Sequence, residues 1–100
     1  MNRYGKDTKE IRVRSGQTFT ISLESLPSAG YSWRASQDSQ AIRLLSQNIA
    51  PASTKLGAAA TEELTFEATK NGSDTLVLQY GRPWEDTPFE ERRITVHVES

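Results

Sequence analysis

The side chains that could carry out chemistry are few in this sequence, and none has the spacing of a catalytic site. His97 is the single histidine. It lies between Val96 and Val98 in an alternating pattern that directs it to the opposite, solvent face of a strand. The absence of cysteine excludes a Cys–His pair, disulfides and thiolate metal ligands. With no Ser–His–Asp spacing, nucleophile elbow or phosphate-binding glycine loop, we expect no enzyme, no cofactor and no metal.

Adjacent acidic residues are the other candidates for acid–base chemistry. They occur as Glu62 with Glu63, Glu85 with Asp86, and Glu90 with Glu91. The first and last pairs flank predicted strands, where a solvated face explains carboxylates better than a general acid–base pair does. We therefore expect Glu62 and Glu63 to face solvent.

Charge and hydropathy exclude two classes of partner. Twelve Lys and Arg against thirteen Asp and Glu give a net charge of −1, which argues against a nucleic-acid partner or a polybasic membrane partner. No apolar run approaches the roughly 20 residues that span a bilayer. The polar residues 1–10 do not form a secretory signal, so the sequence leaves the compartment open.

One polar segment carries residues suited to binding another protein. Trp84 follows Arg82 and Pro83. Tryptophan and arginine dominate interface hot spots, and a proline reduces the entropy that a loop loses on binding. Trp84 could also fold back on its own scaffold, and both interpretations stay open. Trp33 is different, because it is in register with Tyr31 within a strand pattern, and we expect it in the core.

Two other segments are rich in small side chains. These are residues 26–30 (Leu-Pro-Ser-Ala-Gly) and residues 56–60 (Leu-Gly-Ala-Ala-Ala). Small side chains let a backbone approach another surface closely. Residues 26–30 could equally be a plain turn between strands. Beside an aromatic loop, however, such segments suit insertion into a groove.

The elements that position these segments are strands, because the dominant hydrophobic period is two. Phe19, Ile21 and Leu23, for example, alternate with polar residues. The predicted strands are residues 10–14, 17–25, 31–36, 42–48, 61–70, 73–80 and 91–99. The fourth is the least regular and would also suit a helical turn. The pattern indicates one all-β domain over residues 1–100, with 1–8 frayed: an immunoglobulin-like antiparallel β-sandwich of about seven strands, or alternatively a small barrel.

The connections between these strands differ in length. Asn71 and Gly72 form a strong two-residue hairpin signal. If successive strands alternate in direction, the three longer connections, 26–30, 51–60 and 81–90, gather at one end of the sandwich. Prolines stiffen each of them. Long loops gathered on a rigid scaffold indicate a binding edge.

The same segments resemble the signatures of the chagasin-type inhibitors of papain-like cysteine peptidases. Residues 27–33 (Pro-Ser-Ala-Gly-Tyr-Ser-Trp) resemble Asn-Pro-Thr-Thr-Gly followed by an aromatic residue, one residue and Trp. Residues 82–84 match the Arg-Pro-Trp signature, and residues 57–60 occupy the place of Gly-x-Gly-Gly. Order and spacing agree from about Ile11 to Val98. The chain departs from the family at Leu26, Ala29, Ala59 and Ala60, which replace an Asn, a Thr and two glycines.

The resemblance implies a reversible, non-covalent, tight-binding inhibitor whose three loops block the active-site cleft of a papain-like cysteine peptidase. In that family the first loop enters the cleft, the middle loop makes backbone contacts, and the Arg-Pro-Trp loop packs on the other side. The implied peptidase-binding residues are Pro27, Ser28, Ala29, Gly30, Tyr31, Gly57, Ala58, Ala59, Ala60, Arg82, Pro83 and Trp84. We expect a monomer with a peptidase partner and with no nucleic acid, membrane or cofactor. The alternatives are an immunoglobulin-like adhesion or carbohydrate-binding module, or a degenerate homologue that no longer inhibits.

Overall fold

The computed structural model of this protein describes residues 2–5, 7–37, 40–51 and 60–100. Within these ranges the backbone forms eight strands and a short 3₁₀ helix, and it contains no helix long and apolar enough to cross a bilayer. The strands are β1 (Asn2–Tyr4), β2 (Glu10–Arg14), β3 (Thr18–Ser25), β4 (Ser32–Gln37), β5 (Ile42–Pro51), β6 (Ala60–Ala68), β7 (Gly72–Gly81) and β8 (Glu90–Glu99). The 3₁₀ helix, Pro27–Ala29, lies between β3 and β4.

The strands form two four-stranded sheets, with the orders β1-β3-β6-β5 and β2-β8-β7-β4. This confirms the predicted all-β sandwich over the alternative of a barrel, with two corrections. The described residues contain eight strands rather than seven, and the pairs β1–β3 and β2–β8 are parallel rather than antiparallel. The parallel pair in the second sheet arises because β2 pairs with the last strand of the chain and not with β3, its neighbour in sequence.

The extra strand, β1, lies within residues 1–8, the segment that the sequence pattern predicts to be frayed. β1 pairs with β3 in the register Asn2 to Phe19 and Tyr4 to Ile21. The Tyr4 ring packs edge-to-face on Phe19, with 6.4 Å between centroids, and Arg3 bonds to the Glu63 side chain. Three residues are too short for a periodic signal. Contacts with residues distant in sequence therefore decide that this segment is ordered.

The Asn71–Gly72 turn does not close a hairpin, which corrects a second expectation. β6 pairs with β3 and β5, whereas β7 pairs with β4 and β8, so the turn crosses from one sheet to the other. Gly72 has a φ of 142°. No described residue other than glycine has a positive φ, so Asn71 does not adopt the conformation of the predicted two-residue hairpin turn. The flanking strands instead lie in different sheets, and each buries one apolar face against the opposite sheet.

The core lies between the two sheets and consists of the inward residues of the alternating strands. Phe19 and Phe66 stack across it with ring centroids 5.4 Å apart. Trp33 is 3% exposed, which confirms its predicted place in the core. The other large buried side chains are Ile11, Val13, Ile21, Leu23, Ile42, Leu64, Leu76, Leu78, Tyr80, Ile94, Val96 and Val98. Each such side chain contributes about 1.5–3 kcal/mol relative to its exposed state.

The segment with the least regular pattern is strand β5 and not a helical turn. Its pairing with β6 shifts between Leu44 and Ser46, so Leu45 is an extra residue opposite the regular partner strand. A β-bulge of this kind changes the phase of the alternation. This explains why the sequence pattern there suits both a strand and a helical turn.

Candidate functional site

The strand registers bring the strand ends that bound the three longer connections to one end of the sandwich. In the first sheet Ser25 and Pro51 are both opposite Ala60. In the second sheet Ser32 is opposite Gly81, and the strands that carry Tyr80 and Glu90 also meet there. The two sheets are joined at this end, where the indole Nε1–H of Trp33 donates to the Glu24 carbonyl at 3.0 Å. We call residues 26–31 and 82–89 the first and third loops, and together they form the loop end. Residues 52–59, which we call the middle loop, lie outside the described residues, between the end of β5 and the start of β6.

The first loop is a compact turn held by its own backbone. The N–H groups of Ala29 and Tyr31 donate to the Leu26 carbonyl, at 3.0 and 3.2 Å, and the Gly30 N–H donates to the Pro27 carbonyl at 2.9 Å. Gly30 has a φ of 87°, in the left-handed region that side chains with a Cβ disfavour. The turn is thus rigid, and its last residue is constrained to be glycine.

The third loop packs directly on that glycine. A Cβ added to Gly30 would lie 2.5 Å from the Cη2 atom of Trp84, so the indole ring occupies the space that any larger residue needs. Trp84 is nevertheless 69% exposed. The structure therefore combines the two interpretations of this tryptophan: one edge contacts the scaffold, and most of the ring remains open to a partner.

Arg82 connects the first and third loops. Its Nε–H donates to the Ala29 carbonyl at 2.9 Å. Its guanidinium carbon lies 4.4 Å from the centroid of the Tyr31 ring and 5.9 Å from that of Trp84, within the range of cation–π attraction. Much of the Arg82 side chain is thus engaged within the molecule, which makes it a brace between the loops as well as a candidate contact.

An aromatic column connects the loop end to the core. Tyr31 stacks on Tyr80 at 5.1 Å, and Tyr80 packs on Trp33 at 4.8 Å. The Tyr80 hydroxyl accepts a hydrogen bond from the Leu26 N–H at 3.0 Å, at the start of the first loop. The column fixes both ends of the first loop to a buried residue of β7.

Glu62 is a residue of this region that sequence reasoning misplaced. It is 1% exposed, not solvated as expected. Its carboxylate accepts hydrogen bonds from the Trp33 N–H, at 3.2 and 3.3 Å, and from the Gln47 amide, at 2.6 Å. The same amide donates to the Trp33 carbonyl at 2.7 Å. β5 and β6, the strands that bound the middle loop, are thereby tied to β4, which follows the first loop.

The strand pattern itself contained the signal for Glu62. It alternates with Leu64 and Phe66, so the period of two places all three on one face. A charged residue at an inward position requires hydrogen-bond partners, and β4 supplies one because it is an edge strand with unpaired backbone groups.

The structure places the predicted site residues differently from one another. Gly30, Tyr31, Arg82 and Trp84 are in mutual contact as described above, and Pro27 and Ala29 belong to the same turn. For Ser28 the structure describes the backbone only, and Pro83 is exposed beside Trp84. Ala60 begins β6 and is buried, at 7% exposure. Gly57, Ala58 and Ala59 lie outside the described residues, so their contact with a peptidase stays a prediction.

The third loop and the strand that follows it carry acidic groups. Glu85 and Asp86 are exposed. A hydrogen bond from the Gln79 amide at 3.0 Å, together with the charge of Arg93, holds the pKa of Glu91 below its ordinary value. The charges of Glu90 and Glu91 are offset by ion pairs with Arg92 and Arg93, at 2.5 and 3.2 Å.

His97 lies on an outer face at the opposite end of the sandwich, half-buried. Its Nδ1 is 3.2 Å from the Ser73 hydroxyl, and its Nε2 is 3.2 Å from the Glu10 carboxylate. Although these residue types resemble a hydrolytic triad, they lie on the surface of a sheet, away from the loop end. The site at the loop end thus involves no histidine.

These features define a class of protein: an immunoglobulin-like β-sandwich that presents preorganised loops at one end for binding another protein. The chain belongs to the chagasin family of peptidase inhibitors, I42, whose family model matches residues 12–98. This confirms the predicted class, an inhibitor rather than an enzyme. No curated protein matches the chain significantly.

Several solved structures share this fold. The cysteine protease inhibitor EhICP2 from Entamoeba histolytica has a TM-score of 0.85 at 23% identity, over 98% of this chain and 95% of that one. Amebosin has a TM-score of 0.61 at 24% identity, over 97% and 94%. PbICP-C, solved in complex with falcipain-2, has a TM-score of 0.72 at 18% identity, over 99% and 100%.

Proposed function

We propose that this protein is a reversible, non-covalent inhibitor of papain-like cysteine peptidases that blocks the active-site cleft with its loop end. The observation that carries the proposal is the mutual packing of Gly30 with Trp84 and of Tyr31 with Arg82. It joins the first and third loops into one surface before any partner binds. Membership of the chagasin family supports the same conclusion, as does the similarity to PbICP-C, which was solved in complex with falcipain-2.

Preorganisation of the loops is what makes such a surface inhibitory. Binding costs entropy for each loop and side chain that it orders, typically about 0.5–1.5 kcal/mol per flexible side chain. Here the Arg82 hydrogen bond to Ala29 and the left-handed turn at Gly30 have ordered the loops already. More of the contact energy therefore remains for affinity.

The proposed inhibitor blocks the active-site cleft sterically and forms no covalent bond with the peptidase. The chain has no cysteine, so it cannot form a disulfide with a catalytic thiolate. In the proposed complex the first loop, Pro27 to Tyr31, lies in the cleft, and Arg82, Pro83 and Trp84 contact its flank. Ser28 offers a hydroxyl to the cleft. The middle loop, with Gly57, Ala58 and Ala59, adds backbone contacts, and Ala60 supports it as the first residue of β6.

The experiment is a titration of papain and several related peptidases with the purified protein. We expect stoichiometric loss of activity, an inhibitor that stays intact by mass spectrometry after prolonged incubation, and recovery of peptidase activity after large dilution. Trypsin, a serine peptidase, is the control and should be unaffected. Lack of inhibition across the papain-like panel at micromolar concentration would contradict the proposal and favour a homologue that has lost its activity.

A further inference from the structure

Phe89 is an exposed aromatic residue at the loop end that the Arg-Pro-Trp motif does not include. Its side chain is 74% exposed, more than that of Trp84, at 69%. It occupies the last position of the third loop, directly before β8 begins at Glu90. Single exposed apolar residues are common on protein surfaces, so the exposure alone does not indicate a binding contact. The packing around Phe89 is more informative.

Both the backbone and the ring of Phe89 are held in place. The N–H of Phe89 donates to the Tyr80 carbonyl at 2.7 Å. Its ring packs edge-to-face on Tyr31, at 5.9 Å between centroids, and on Tyr80, at 6.4 Å. Phe89 is thus the outer member of the aromatic column that reaches Trp33 in the core. A ring held in this way loses little further freedom when a partner covers it.

The Phe89 ring lies beside the first loop, which is the segment proposed to enter the peptidase cleft. Trp84 packs on Gly30, and Phe89 packs on the next residue, Tyr31. Two exposed rings of the third loop therefore contact consecutive residues of the first loop, with the Arg82 guanidinium over Tyr31. A partner that covers the first loop and Trp84 is expected to reach Phe89 as well.

We propose that Phe89 is a specificity-determining contact that packs on an apolar patch beside the active-site cleft of the peptidase. Peptidases with a polar or charged surface at that place are inhibited less strongly. This inference rests on the proposed function, because it assigns a further contact to the same inhibitory surface. An apolar partner surface is favoured because the exposed ring offers no hydrogen-bonding group and a large area to desolvate.

The test compares Phe89→Ala and Phe89→Glu with the unmodified protein against a panel of papain-like peptidases. We expect the inhibition constant to rise by about ten- to a hundredfold for the peptidases that bind most tightly, mainly through faster dissociation. The factor should differ between peptidases. Leu44→Ala is the matched control, since Leu44 is an exposed apolar residue, at 41%, whose partner on β6 is Phe66, far from the loop end. It should change inhibition less than twofold.

The outcomes separate this inference from the proposed function. If the unmodified protein inhibits and both Phe89 variants inhibit equally well, Phe89 is no contact, while the proposed function stands. A loss that matches the loss of folded protein in circular dichroism, or one of equal size for every peptidase, would overturn the assignment of specificity. Failure of the unmodified protein to inhibit any peptidase overturns both.

Discussion

Replacing Gly30 by alanine tests whether the first loop positions Trp84. The added Cβ would lie 2.5 Å from Cη2 and 3.3 Å from Cζ3 of the Trp84 ring. Contacts this short force the indole to move. The φ of 87° adds backbone strain, which costs about 1–2 kcal/mol for a residue with a Cβ in the left-handed region. Gly30→Ala should therefore lower both stability and inhibition.

Gly16→Ala is a matched control that separates these two effects. Gly16 has a φ of 93°, but a Cβ there meets nothing within 4 Å. It lies in the turn between β2 and β3, at the end of the sandwich opposite the loop end. Both variants should carry the same strain, and each kcal/mol lowers Tm by about 4–8 °C in a domain of this size. Only Gly30→Ala should weaken inhibition.

The magnitude of that weakening is bounded by what Trp84 contributes. A hot-spot tryptophan contributes about 2–4 kcal/mol, or about 30- to 1000-fold in the inhibition constant. Displacing the ring without removing it should lose part of this contribution and weaken inhibition by about tenfold or more.

We would measure Tm by circular dichroism and inhibition constants against papain for Gly30→Ala, Trp84→Ala and the double variant. In the Trp84→Ala background, Gly30→Ala should have almost no further effect on inhibition. Equal inhibition by Gly30→Ala and Gly16→Ala, or fully additive losses in the double variant, would refute the reasoning.

Two further predictions concern the tryptophans and the buried carboxylate. Trp84→Ala should weaken inhibition by about 30- to 1000-fold with little change in Tm, because the ring is 69% exposed. Trp33→Ala should instead cost about 3–5 kcal/mol of folding stability, because Trp33 is 3% exposed; similar Tm values for the two variants would show that Trp84 is a packing residue. Glu62→Leu should lose about 1–3 kcal/mol more than Glu62→Gln in urea unfolding, since leucine leaves the Trp33 N–H without its acceptor. Equal losses would show that these hydrogen bonds contribute nothing.

The sequence pattern was sufficient to predict seven of the eight described strands and the approximate positions of the loops. Alternation with a period of two is a local property, because each strand must direct one set of side chains to the core, and it correctly predicted Trp33 as buried. The alternating directions of successive strands predicted the three long connections at one end, and the described strand ends agree. The family signatures at residues 27–33 and 82–84 indicated the family, and the family model that matches residues 12–98 confirms it.

Strand pairing and the contacts between polar groups could be read from the three-dimensional fold alone. The Asn71–Gly72 turn predicts a reversal of the chain but not whether the next strand stays in the same sheet. The order of β1 depends on contacts with β3, and the burial of Glu62 depends on Gln47 and on the open edge of β4. In the same way, Arg82 and Trp84 meet the first loop across more than fifty residues of chain. The local alternation places Glu62 on an inward face but does not identify its partners. Contacts of this kind join residues distant in sequence, and they form only when the two sheets close on a shared core.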